Sequence, residues 1–132
     1  MERVTTSPKN LSFLGSEVRE ESFSYYRRLA RVRRYVFANY AEPITLEDTA
    51  KVAGMEKTAF STFFHHKTGI CFHDWLAAVR VMKSMEFISI SNRPLREVGR
   101  RAGFPNVRTF ERVFLRVTGQ APIEYKKSVR PS

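Results

Sequence analysis

Arg108, Glu111, Arg112 and Leu115 fall at i, i+3, i+4 and i+7 within VRTFERVFLRVT, so a helix over that stretch places all four on one face. A guanidinium is a planar fork of donors that pairs bidentately with two acceptors lying in one plane. Arg108 and Arg112 are therefore the side chains suited to the O6 and N7 atoms of a guanine edge. Glu111 can accept from a cytosine amine or orient a neighbouring arginine. A second cluster, His65, His66, Cys71 and His73, invites a metal, but its spacing matches no tetrahedral pattern and adjacent histidines leave a helix on different sides. The chain has no Ser-His-Asp order, no phosphate-cradling glycine loop and no carboxylate pair set among apolar residues, so neither an enzyme nor a cofactor is expected.

The reactive face needs a scaffold, and the stretch Leu95 to Tyr125 supplies it. Apolar residues at Leu95, Val98 and Ala102, then at Phe110, Val113, Phe114 and Val117, trace one buried face on each of two short helices. Between them, Gly103-Phe104-Pro105-Asn106 is long enough only for a turn, with a glycine to close the first helix and an asparagine to cap the second. The spacing predicts a helix-turn-helix whose second helix is cationic on its outer side.

The pattern occurs twice. Leu46, Ala50, Ala53-Gly54, Phe60, Phe64, Thr68-Gly69 and Asp74-Trp75 align with Leu95, Gly99, Ala102-Gly103, Phe110, Phe114, Thr118-Gly119 and Glu124-Tyr125, a period of about 50 residues. In the earlier copy Thr45 and Asp48 read as a capping-box variant, and a helix from about Lys57 to Lys67 buries Phe60, Phe63 and Phe64. Its outer face carries Thr58, Ser61, Thr62 and His65. Thr58 and Thr62 can meet thymine methyl groups or phosphates. The two copies share a scaffold and differ in the surface they present.

Between the copies, Trp75, Ala78, Val79, Met82 and Met85 mark one stripe of a helix over about Phe72 to Ile90, close to 28 Å long at 1.5 Å per residue. Pro43 stops an earlier helix that begins near Tyr25, buries Leu29, Val32 and Val36, and carries Arg27, Arg28, Arg31, Arg33 and Arg34. That arginine run suits either phosphates or a solvated surface. Residues 1–24, with Leu11, Phe13 and Leu14 as their apolar cluster, read as a loose arm or linker. The expected organisation is an arm at 1–24, a first subdomain at 25–70, a connecting helix at 71–91 and a second subdomain at 92–132.

The chain carries 23 Lys and Arg against 13 Asp and Glu, a net charge of +10. The balance is −1 over residues 1–24, +4 over 25–92 and +7 over 93–132, so the excess sits on the later copy and calls for a polyanionic partner. Lys57, Lys67, Arg96, Arg100 and Arg116 are the candidate phosphate contacts. One cysteine can form no internal disulfide, which fits a reducing cytosol. MERVTTSPKN has no apolar signal core, and no apolar run approaches the roughly 18 residues of a membrane span.

These residues together resemble the DNA-binding domain of the AraC/XylS family of bacterial transcription regulators over about residues 29 to 126. The match runs from Leu46 through Ala50, Gly54, Phe60, Phe64 and Thr68-Gly69, then Trp75 and Arg80. It closes with Gly103-Phe104, Phe110, Arg112, Phe114, Thr118-Gly119, Pro122 and Tyr125-Lys126. The resemblance implies an all-α fold of seven helices, two helix-turn-helix subdomains joined by a long central helix. It also implies that Thr58, Ser61 and Thr62 in the first copy, and Val107, Arg108 and Arg112 in the second, contact bases. This sequence departs from the family pattern at Glu56, where a capping serine is usual, at His65-His66, where a basic pair is favoured, and at Leu115, where lysine is common. Gly99 replaces the usual alanine, at about 1 kcal/mol of helix propensity.

The expected function is a cytoplasmic, sequence-specific regulator, an activator by resemblance, that binds double-stranded promoter DNA as a monomer across two adjacent major grooves and touches RNA polymerase. The alternatives are a protein-interaction module on the same fold and a charge-driven, non-specific nucleic-acid binder.

Overall fold

The computed structural model describes residues 12–13 and 16–130. Eight helices carry the fold among these residues: α1 (Ser22–Tyr25), α2 (Arg27–Asn39), α3 (Leu46–Ala53), α4 (Lys57–Thr68), α5 (Phe72–Ile90), α6 (Leu95–Arg101), α7 (Val107–Thr118) and α8 (Pro122–Val129). Ser12–Phe13 (β1) and Ser16–Glu17 (β2) add a two-residue antiparallel pairing. The fold is all-α, with one helix more than the seven expected. The additional helix is α1, which forms because Phe23 is drawn into the core and stacks on Trp75 at 4.9 Å between ring centroids.

Two compact units divide the described residues: one comprises those up to Asn39 together with Ile44–Leu76, the other Tyr40–Pro43 and those from Ala77 to Arg130. This corrects two expected boundaries. The connecting helix is no separate segment, because α5 gives Phe72–Leu76 to the first unit and Ala77–Ile90 to the second. Nor are residues 18–24 a loose arm, since Val18, Ser22 and Phe23 are buried. Leu11, Leu14 and the side chain of Phe13 lie outside the described residues.

In the first unit Phe64 is the hub of an aromatic cluster, with the rings of Phe23, Phe60, Phe72 and Trp75 at 5.4–5.8 Å. Leu29, Val32 and Val36 of α2 and Ala50 and Ala53 of α3 are buried as well. Phe63, expected in the core, is only half-buried and meets the edge of Tyr26 at 5.9 Å. It lies one position off the i, i+4 row of Phe60 and Phe64. At the start of α3, Thr45 Oγ1 accepts from the Asp48 amide at 3.0 Å, the cap expected there.

The second unit buries Val81, Ile88, Val98, Ala102, Phe104, Phe110, Val113 and Phe114. Along this part of α5 the inward positions are Val81, Ser84 and Ile88, while Met82 and Met85, expected on the buried stripe, are half-buried. Ser84 is tolerated there because its hydroxyl donates to the Val81 carbonyl at 2.6 Å.

The helix-turn-helix bends in both copies use the same bonds. Met55 N–H donates to Ala50 O at 2.9 Å, and Phe104 N–H donates to Gly99 O at 3.0 Å. Thr68 and Thr118 return their hydroxyls to Phe64 O and Phe114 O at 2.7 and 2.9 Å. The sequence repeat is therefore a repeat of hydrogen bonds. Gly103, at φ +102°, is required twice over, by a dihedral L-residues rarely adopt and by the Tyr40 carbonyl on which a Cβ would fall. Arg80 holds that carbonyl with its Nε at 2.8 Å and donates to Glu42 O at 2.9 Å.

Gly99 differs from the expectation attached to it. A Cβ there would sit 2.8–3.0 Å from Cγ, Cδ2 and Cβ of Phe110. The glycine is what lets the phenylalanine ring lie against α6, and its helix-propensity deficit is outweighed by that packing. Gly99→Ala is thus expected to lower stability by about 1–3 kcal/mol, the usual range for overpacking, although propensity alone predicts a gain of about 1 kcal/mol. Urea unfolding decides between them, and an equal or higher midpoint for the variant would refute the packing account.

Candidate nucleic-acid interface

α7 begins where Asn106 Oδ1 accepts from the Thr109 amide at 2.8 Å. Phe110, Val113 and Phe114 turn one side of the helix into the core. Geometry then leaves Arg108, Glu111, Arg112, Leu115 and Arg116 exposed. Val107 is half-buried and packs against the core, so it presents less of itself than its neighbour Arg108. On α6, Arg96 and Arg100 are exposed, whereas Arg93 and Arg101 both donate to Glu97 Oε2, at 2.7 and 2.9 Å. The Arg101 bond, then that of Arg93, holds the Glu97 carboxyl below the usual carboxylate range. Among the described residues, Arg96, Arg100, Arg108, Arg112 and Arg116 make no ion pair. These five guanidinium groups are available to a polyanion.

α4 presents a different surface. Thr58, Thr62 and His65 are exposed, Ser61 is half-buried, and Lys57 projects at the start of the helix. Lys67 is half-buried with its ammonium 5.0 Å from the centre of the Tyr26 ring, so a phosphate would compete with a cation–π contact for it. Glu56 takes the capping role usually given to serine, its Oε1 accepting from the Ala59 amide at 3.1 Å. The Thr58 and Ala59 amides hold this carboxyl below its usual range.

Several arginines act in ways the sequence did not announce. Arg28 donates to the carbonyls of Ala53 and Gly54 at 3.2 and 3.3 Å, and Arg31 to those of Val52 and Ala53 at 3.1 and 3.3 Å. They neutralise the carbonyl end of α3 just where the chain turns towards α4. Arg33 lies 3.9 Å from Glu20 and over the rings of Phe23 and Phe37. The arginine run of α2 is therefore divided: Arg28, Arg31 and Arg33 hold partners within the chain, while Arg27 and Arg34 are exposed and make no hydrogen bond or ion pair among the described residues. The visible signal was the i, i+3 spacing of Arg28 and Arg31 beside the buried Leu29 and Val32. At the other end of α4, Arg19 donates to His66 O and Lys67 O, and Ser22 Oγ to Lys67 O. Among the described residues no group of three or more His, Cys, Asp or Glu side chains converges as a metal site, so His65, His66, Cys71 and His73 are not brought together.

Two helix-turn-helix units, each with a capped second helix whose outer face is exposed among the described residues, define a DNA-binding domain of a transcription regulator. The chain belongs to the AraC/XylS family of such regulators: the family model described as a helix-turn-helix domain matches residues 49–128. A curated relative, the uncharacterized HTH-type transcriptional regulator YpdC of Escherichia coli strain K12, is 32% identical over 91 residues, covering 69% of this chain and 32% of that protein. The DNA-binding domain of AdpA, described as a global transcriptional factor and solved in complex with a target DNA, superposes with a TM-score of 0.73 at 26% identity, covering 81% of this chain and 99% of that one. The C-terminal domain of AraT, a response regulator from Geobacillus stearothermophilus, has the same fold, with a TM-score of 0.75 at 23% identity over 81% of this chain and 89% of that one. The chain spans less than half the length of the curated relatives it matches. Among the described residues no helix is long and apolar enough to cross a membrane.

The Glu56 cap carries a pH dependence. Because its carboxyl titrates lower when folded than when unfolded, its contribution is present above the ordinary carboxylate range and is lost as pH falls through the lowered folded value. Glu56→Ala should reduce the melting temperature at neutral pH, and the gap to the parent chain should close on acidification. A gap that stays constant from pH 7 to pH 3 would show that the carboxylate does not cap α4.

Proposed function

We propose that this domain binds double-stranded promoter DNA sequence-specifically, as a monomer, with α7 in one major groove and α4 in the next. The observation that carries the reading is the outer face of α7. Arg108 and Arg112 are exposed, unpaired with acids among the described residues, one helical turn apart, and mounted on a helix held from behind by two buried phenylalanines. Rigid support matters because base readout depends on side chains presented from a fixed backbone. Arg108 and Arg112 read guanine, with Glu111 accepting from cytosine or steadying an arginine. Thr58, Ser61 and Thr62 supply the weaker, uncharged readout of the first unit. Lys57, Lys67, Arg96, Arg100 and Arg116 take phosphates and set the salt dependence.

Successive major-groove faces lie about 34 Å apart, the separation a monomer that uses both helices has to serve, and bending of the duplex belongs to the same proposal. The complex of the AdpA domain with a target DNA supports a DNA-binding role for this fold. In the cytoplasm such a domain activates transcription by contact with RNA polymerase, the role the family resemblance favours.

Arg108→Ala/Arg112→Ala tests the reading against a duplex selected from a random pool and its scrambled counterpart at moderate salt. Loss of roughly tenfold or more in preference is expected, since each bidentate pair discriminates by about 1–3 kcal/mol. A parent chain that binds both duplexes alike, or a variant that loses only salt sensitivity, would overturn it in favour of non-specific binding.

A further inference from the structure

Leu115 lies on the same face as Arg108, Glu111 and Arg112, yet it is apolar and 51% exposed, while Phe110, Val113 and Phe114 of the same helix are buried. An isolated exposed leucine needs no explanation. This one stands on the surface that the preceding reading lays against DNA, towards its C-terminal end, with Arg112 one turn before it and Arg116 beside it. A groove floor made only of hydrogen-bonding edges would leave the isobutyl group desolvated against unpaired polar atoms, which is unfavourable. The major groove has one apolar feature, the C5-methyl group of thymine. We propose that Leu115 is a specificity-determining residue that packs on a thymine methyl, so that the half-site read by α7 pairs a guanine under Arg108 with a thymine at a fixed distance from it.

Leu115 is seven residues beyond Arg108, two turns, or about 10.5 Å along the helix axis. That separation sets the two side chains over different base pairs of the same groove. The corresponding residue of α4 is His65, which is also exposed but has no comparable apolar surface. The thymine requirement therefore belongs to the half-site of the second unit only. Fold stability does not depend on the side chain, which points outward, and alanine is the better helix former.

This inference rests on α7 being the base-reading helix, and the test separates the two. Duplexes are selected from a random pool on the 132-residue chain, and each thymine of the selected half-site is replaced in turn by deoxyuridine, which removes the methyl group alone. One thymine, at a fixed distance from the guanine whose preference Arg108→Ala relaxes, should lose about fourfold in affinity on replacement, as expected for one methyl-sized apolar contact. With Leu115→Ala the thymine duplex should bind about as weakly as the uracil one, and the uracil replacement should have no further effect. A selected site that keeps its Arg108-dependent guanine but shows no thymine coupled to Leu115 would overturn the inference and leave the base-reading role of α7 intact. Unaltered DNA binding by Leu115→Ala, with loss of a protein contact instead, would overturn it as well. Absence of any sequence preference in the parent chain would bring down the reading beneath it.

Discussion

The ring of Phe110 lying directly on Gly99 is the contact on which the second helix-turn-helix depends. A reading helix is useful only if its backbone is fixed, and α7 has just one buried stripe with which to fix it. With Phe110 against the bare α-carbon of Gly99, Phe104 and Phe114 close around the same ring at 5.3 and 5.7 Å, and Tyr125 meets Phe114 at 5.9 Å. Every outward-facing side chain of α7 inherits its position from that cluster. The propensity deficit of a glycine within α6 is small beside the overpacking that any side chain would introduce there.

A second constraint is electrostatic. A chain of charge +10 repels itself, and it also needs cations in reserve for a polyanion. The arginines are divided between these demands. Arg19, Arg28, Arg31 and Arg80 spend their donors on backbone carbonyls at helix ends and bends, where the local field is negative. Arg93 and Arg101 share one carboxylate. Of the exposed arginines with no ion pair among the described residues, Arg96, Arg100, Arg108, Arg112 and Arg116 lie on α6 and α7, and Arg27 and Arg34 on α2. The first unit commits Arg19, Arg28, Arg31 and Arg33 to contacts within the chain, and its α4 presents threonine, serine and histidine. The two copies thus share bends, caps and closing threonines, while their charge is spent differently.

Local features of the chain were legible because the physics behind them is local. Apolar spacing located α2 to α7 to within a few residues, Thr45 and Asn106 marked two starts by capping, and the Ala-Gly pairs marked both bends. The outward set Arg108, Glu111, Arg112 and Leu115 followed from the same periodicity, since the face opposite two buried phenylalanines must be the wet one. Phe63 and the pair Met82 and Met85 show the limit of that logic. A stripe of period 3.6 is about 100° wide, and which residues at its margins are covered depends on what lies opposite.

By itself the sequence determined that this chain is an all-α duplication of a helix-turn-helix, that its later copy carries the cationic excess, and which residues face outward on α7. Each of these depends on periodicity, capping chemistry or a count of charges, and none needs a distant residue to be in place. Only the tertiary structure decided that Phe23 belongs to a core, that Arg28 and Arg31 serve the end of α3, and that Gly99 is required by Phe110. Each of those is a contact between residues 11 to 52 positions apart, whose partner no local pattern names, because a side chain's role there is set by whatever the folded chain brings against it.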